Sequence, residues 1–358
     1  KKTKRDLKTL NLIEGIGRKG IGMIYIGTYP YKEILEYTKY MGRKVDKQLK
    51  RDIVQLINND LDKSRVKEIS DFEELLTMDF TRLKSIYDNF KKPFGIEGIE
   101  NKIEFFKAMR DEDLAKIDDI NIKKYMDNIY SNIILRLEKD KNSIIEFKAK
   151  YKHFTGERVG KEKKNNIELS KALKLTVCPY CNRNFINNRG ERESGRQFDH
   201  FYSRSKVPYF ALSLYNLVPS CTVCNHTKKT SNNMTCCPFD PENAIERKLK
   251  FKVEFPTGNI SVQKTAPDVE TLKLNEAYEI HSEDVKRLFN KEKKYCRDYR
   301  KRLLKKIAPG YHYLLSEQQF DRMIFGEAMY LDHQKFRNEP LSYLKYDTYK
   351  TIKKFYKY

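Results

Sequence analysis

The sequence predicts an α+β protein that is mostly helical and is built around a small cysteine-stapled module. Three observations predict it. Helical periodicity runs through residues 44–150, two C-x-x-C pairs follow at 178–181 and 221–224, and a short alternating stretch begins at Leu249. Charge adds a constraint. The 358 residues carry a net charge of +22, with 12% aromatic residues, too many for a disordered chain. The charge is uneven: +8 over residues 1–50, −2 over 51–150 and +16 over 151–358. A near-neutral middle between two basic parts suggests a scaffold whose flanks meet a polyanion. Composition alone leaves open a lysine-rich chain whose charges are merely solvated.

The opening KKTKRDLKTL has no apolar stretch of the signal-peptide kind, and no apolar run reaches transmembrane length, so the expectation is a cytoplasmic protein without a membrane partner. Residues 1–43 form a basic N-terminal segment. Within it Gly15-Ile16-Gly17-Arg18-Lys19-Gly20 matches G-x-G-x-x-G, but no strand precedes it and the following IGMIYIG reads as extended. A glycine-rich basic loop is therefore expected rather than a dinucleotide site.

Residues 44–154 form the helical scaffold and the candidate partner-binding region. QLKRDIVQLINNDL is amphipathic, and in DFEELLTMDFTRLKSIYDNF the residues Phe72, Leu75, Leu76, Phe80, Leu83 and Ile86 mark one apolar stripe. Lys92-Pro93-Phe94-Gly95 breaks the pattern as a helix–helix connection. A long helical pattern, DNIYSNIILRLEKDKNSIIEFKAKY, ends near His153, and polar TGERVGKEKKNN supplies a linker at about 155–167.

Residues 168–235 hold the module. Cys178-Pro179-Tyr180-Cys181 and Cys221-Thr222-Val223-Cys224 are separated by 39 residues, a spacing that brings four thiolates to one zinc. Four thiolates leave no ligand position for water, so this zinc is structural and the chemistry lies elsewhere. Cys236 and Cys237 are adjacent, awkward as joint ligands of one tetrahedral ion, and read as packing residues. Cys296, in a helical pattern, reads as a small buried residue.

Between the pairs stand Gln197-Phe198-Asp199-His200-Phe201-Tyr202 and Tyr215-Asn216-Leu217-Val218-Pro219, and the second pair continues as Cys224-Asn225-His226-Thr227-Lys228-Lys229. With CPYC, FDH, YNLVPSC and CNHTKK in this order, residues 175–232 resemble the HNH endonuclease family, whose ββα-metal module is flanked in many members by zinc knuckles. The resemblance implies two short strands, at Phe198–Tyr202 and Leu217-Val218. A helix would follow, capped by Ser220 and carrying Asn225 near its start. It implies Asp199 and Asn225 as ligands of a catalytic Mg²⁺ or Mn²⁺, whose preference for hard oxygen suits both side chains. It implies His200 as general base and Asn216 as the residue that orients the histidine loop. Asn216 reads equally as a turn residue that fixes the backbone, and His226 competes with Asn225 for the last motif position. Ser203 stands where many members have proline. Lys228, Lys229 and Arg204 are candidate nucleic-acid contacts by position and charge. Asp332-His333 repeats the dipeptide without a cysteine knuckle behind it, so no site is expected there.

Residues 236–358 begin with LKFKVEFPTGNISV, in which Leu249, Phe251, Val253 and Phe255 alternate toward one face before a Pro-Thr-Gly-Asn turn: a β-hairpin, followed by a helical region rich in Lys and Tyr. The expected function is hydrolysis of phosphodiester bonds in DNA. The alternative is a zinc-knuckle module that binds nucleic acid or protein without cutting, or, within the nuclease class, a restriction or mobile-element enzyme. The wider pairing of CPYCNRNFI with FDHFYSRSKVPYFALSLYNLVPSCTVCN is similar to HNH subunits of bacterial anti-phage systems of the Septu type, which implies an ABC/SMC-like ATPase partner.

Overall fold

The computed structural model describes residues 25–155, 169, 171–188, 194–230, 234–242, 249–262, 268–307, 317–326 and 333–356. The Gly15–Gly20 stretch, most of the expected linker and Asp332 lie outside the described residues, as do the side chains of Lys229 and His333. The chain is α-rich, with two small two-stranded sheets. Among the described residues no helix is long and apolar enough to cross a membrane. Two compact units divide it: residues 28–173 with 198–218, and residues 1–27 with 174–197 and 219–358. The division thus crosses the segment 168–235, whose residues 198–218 pack with the helical scaffold.

In the first of these units, α1 (Tyr31–Lys44), α2 (Lys47–Asp60), α3 (Phe72–Thr77), α4 (Phe80–Asp88), α5 (Gly95–Ala115), α6 (Ile120–Ala149) and α7 (Tyr151–Thr155) follow in order. The stripe from Phe72 to Ile86 is buried throughout, but on two helices rather than one. Asp71 and Asp79 each accept the backbone N–H three residues on, from Glu74 and Arg82 at 2.8 Å, so a second N-cap restarts the helix. The Lys92–Pro93 peptide is cis, and Gly98 lies so close that a Cβ there would meet the Pro93 carbonyl oxygen at 2.6 Å. Helices α5 and α6 run antiparallel, linked by the Glu100–Lys141 ion pair at 2.5 Å and by the Tyr130 hydroxyl donating to Asp113.

Strand β1 (Gln197–His200), 3₁₀ turns at Pro208–Phe210 and Leu214–Asn216, and β2 (Leu217–Ser220) come next in the chain; β1 and β2 pair. The intervening loop is fully buried at Phe210, Ala211, Leu212 and Leu214. Its backbone must therefore find partners inside the protein. The Tyr37 hydroxyl donates to the Leu212 carbonyl at 2.6 Å, and the Ser213 hydroxyl to the Leu75 carbonyl at 2.8 Å. Asp60 accepts from the Tyr209 hydroxyl at 2.7 Å and from the Gly95 N–H at 3.1 Å. Removing one such donor strands a buried acceptor, at about 1–3 kcal/mol.

The other unit holds α8 (Thr222–Thr230), β3 (Phe251–Val253), β4 (Ile260–Val262), α9 (Leu274–Glu279), α10 (Ser282–Lys294), α11 (Arg297–Ile307), α12 (Glu317–Phe325), α13 (His333–Asn338) and α14 (Ser342–Phe355). The hairpin forms in the register Phe251↔Val262 and Val253↔Ile260, with Gly258 at φ +77° in its turn. Asp347 of α14 accepts the Phe251 N–H at 2.8 Å and docks it. Arg300 joins Glu292 and Asp321 in a buried ionic cluster that also includes Lys353, so charge is balanced. Two expectations are corrected. Cys296 lies in the break between α10 and α11 and is half-buried, because the helix stops at Lys294. Ser220 ends β2, and its hydroxyl points to the Gln197 carbonyl (3.5 Å) instead of capping α8.

Candidate metal centre and histidine site

Val177 and Phe185 form an isolated bridge that folds the first C-x-x-C pair into a tight turn, with the Cys178 N–H donating to the Asn184 carbonyl at 2.9 Å. Asn182, at φ +49° and fully buried, fixes this turn. Its amide nitrogen donates to the Phe336 carbonyl (3.0 Å), and its side-chain oxygen accepts from the Tyr343 N–H (3.0 Å) and the Ser342 hydroxyl (3.2 Å). The Tyr278 hydroxyl donates to the Cys181 carbonyl at 2.6 Å. The second pair sits at the end of β2 and the first turn of α8.

The four sulfurs of Cys178, Cys181, Cys221 and Cys224, all buried, lie within 4.8 Å of one another. Tetrahedral zinc with Zn–S bonds of about 2.3 Å needs sulfurs about 3.8 Å apart, so a metal such as zinc fits the cluster. N–H groups face the sulfurs: Cys221 N–H to Cys178 (3.4 Å), Cys224 N–H to Cys221 (3.4 Å) and the Asn184 amide to Cys221 (3.3 Å). Burial pushes the Cys178 thiol up, whereas hydrogen bonds from Cys178, Cys181 and Cys224 push Cys221 down. Neighbouring thiols push Cys224 up as well, so the thiolate is favoured at Cys221, and a bound dication would favour the thiolate form of the other three.

On α8, Asn225 is buried and its side-chain amide donates to the Gln197 side chain, while His226 is exposed. Lys228 is only 8% exposed, and its charge acts on buried Asp268, which accepts the N–H groups of Thr235 (2.7 Å) and Cys236 (2.8 Å). Cys236 and Cys237 are both buried.

In the helical unit, β1 carries Asp199, 5% exposed, and half-buried His200. The His200 Nε2 lies 3.1 Å from the Ala211 carbonyl. A carbonyl only accepts, so Nε2 carries a proton, and in the neutral ring the lone pair is then on Nδ1. The Tyr151 ring packs against the imidazole at 4.4 Å between centroids, and its hydroxyl donates to the Phe198 carbonyl at 3.3 Å. Exposed Arg204 lies over the Tyr151 ring at 5.0 Å. Burial pushes the Tyr151 phenol up, with Arg204 pulling it down and Asp199 pushing it up, so the hydroxyl stays a donor.

Asn216 is fully buried and spans the loop. Its side-chain oxygen accepts the Tyr202 N–H at 2.8 Å, and its amide donates to the carbonyls of Tyr202 (3.1 Å) and Phe210 (3.0 Å). Asp199, His200, Arg204 and Asn216 are thus brought into one unit, and the four cysteines with Asn225 and Lys228 into the other. Sequence reasoning missed Tyr151 and Asn182. Tyr151 reads as one more aromatic in a helical pattern, and only the residue type of Asn182, tolerant of positive φ, gave a local signal. No family model, curated protein or solved structure matches the chain.

Proposed function

We propose that the chain is a metal-dependent HNH-type endonuclease that hydrolyses phosphodiester bonds in DNA, with a structural zinc on its four cysteines. The observation that carries this function is His200, held through Nε2 by the Ala211 carbonyl, directly after the buried carboxylate of Asp199. In this mechanism the neutral imidazole of His200 takes a proton from the attacking water at Nδ1. The oxygen so activated bonds to phosphorus as the P–O bond to the departing 3′ oxygen breaks, and the departing oxygen takes a proton from solvent. Asn216 keeps the backbone on both sides of the loop fixed, so that Ala211 stays in place to orient the imidazole. Arg204 is exposed and aligned by Tyr151 to meet a phosphate.

Asp199 would supply the hard anionic oxygen that Mg²⁺ or Mn²⁺ prefers. Bound there, the ion would stabilise charge developing on the phosphate and the departing oxygen. Lys228 is left out of the phosphate contacts, since its neighbour is the protein's own Asp268. The Septu-type resemblance adds the role of effector in an anti-phage complex with an ATPase.

The test is incubation of the purified protein with plasmid, single-stranded DNA and RNA, with and without Mg²⁺ or Mn²⁺. Metal-dependent cleavage is expected, and His200→Ala should lower its rate by about 10²–10⁴. Binding without cleavage under every metal condition would favour the zinc-knuckle binding module instead, and wild-type rates in His200→Ala would remove the assigned base.

A further inference from the structure

We infer that Tyr87 and Tyr202 form a nucleobase-stacking subsite beside His200 that selects single-stranded nucleic acid, an inference that rests on the nuclease function proposed above. Tyr202 lies two residues beyond His200, so their Cα atoms are within about 7 Å. Its backbone is clamped at both N–H and carbonyl by the Asn216 side chain. The Tyr87 ring stacks on the Tyr202 ring with centroids 4.1 Å apart and planes at 27°. Both rings are half-buried, whereas Phe80, Phe90 and Phe210 behind them are buried. Phe80 stacks on Tyr202 as well, with centroids 6.1 Å apart and planes at 8°, so Tyr202 supports the stack and Tyr87 is the ring that offers a face to a base.

A cation lies beside this ring. Exposed Lys92 holds its ammonium 5.0 Å from the Tyr87 ring centroid and 5.6 Å from that of Phe94, and among the described residues it has no carboxylate partner. Arg204 and Lys206, both exposed, follow Tyr202 along the chain. A fixed aromatic face beside exposed cations is the arrangement that receives bases and phosphates of a single strand. In a duplex the bases are stacked on one another and offer no free face to a side chain. A displaced Lys92 ammonium would meet the backbone phosphate of the stacked nucleotide.

The chain contains no tryptophan, so Tyr87→Trp introduces a sole indole at the subsite. In a His200→Ala background, which spares the strand, its fluorescence should be quenched by oligothymidylate and not by an abasic strand of equal length. In the otherwise unaltered protein, Tyr87→Ala should raise KM for single-stranded substrate about tenfold, while Tyr87→Phe leaves it near the wild-type value and duplex KM does not move. Absence of quenching, equal quenching by the abasic strand, or equal loss on duplex would each overturn the subsite. Wild-type cleavage by His200→Ala would instead overturn the proposed nuclease mechanism, and the binding readout would still decide the subsite.

Discussion

The imidazole of His200 is constrained at an edge and a face. Ala211 fixes the edge through Nε2, and Tyr151 fixes the face at 4.4 Å. Small displacements of a base cost large rate factors, so the face matters for turnover more than for substrate binding. Tyr151→Leu is expected to lower kcat by roughly tenfold to a hundredfold with KM little changed. Tyr151→Phe, which keeps the ring and loses one 3.3 Å hydrogen bond, should retain most of kcat. Steady-state kinetics of both variants check this, and equal losses would assign the effect to the hydroxyl. At this scale the four cysteines were legible because their signal is a local spacing, whereas Asp199 and His200 stood out only through the HNH resemblance. Tyr151 and Asn182 were not, since their partners lie 47 to 161 residues away, at Phe198 and Tyr343.

At the scale of elements, alternation exposed the hairpin, and the register Phe251↔Val262 follows from the one-sided apolar face at Phe251 and Val253. The stripe from Phe72 to Ile86 was legible as helical but not as two helices, because Asp79 reads as a polar position until its carboxylate is seen capping Arg82. The knuckles invite the firmest test. Their four sulfurs converge from two segments remote in sequence, so metal binding should be part of their folding free energy. One zinc per chain is expected by elemental analysis. A variant carrying both Cys221→Ser and Cys224→Ser should lose the zinc and lose amide-exchange protection at residues 176–186 and 221–228. Protection at residues 31–60 should be unchanged, since α1 and α2 belong to the other unit. Zinc-free protein with native protection at the knuckles would show that packing alone holds them.

For the whole molecule, a net charge of +22 creates a problem of control. Phosphate contacts are independent of sequence, and the nuclease proposed above would, at this charge, engage any duplex at low salt. The near-neutral stretch 51–150 offers something different. On α5 and α6 it leaves Phe105, Ile120, Tyr125 and Leu135 more than half exposed. Apolar side chains uncovered on a neutral helical pair suit a protein partner better than a polyanion. The ATPase implied by the Septu-type resemblance is the partner to test. Co-expressed with such an ATPase, the chain should co-purify with it, and Tyr125→Glu with Leu135→Glu should release it while leaving zinc content unchanged. Cleavage by the complex should depend on the ATPase, and cleavage by the isolated chain should differ from it in rate. A chain that elutes alone in the presence of the ATPase and cuts at full rate without it would overturn the partnership.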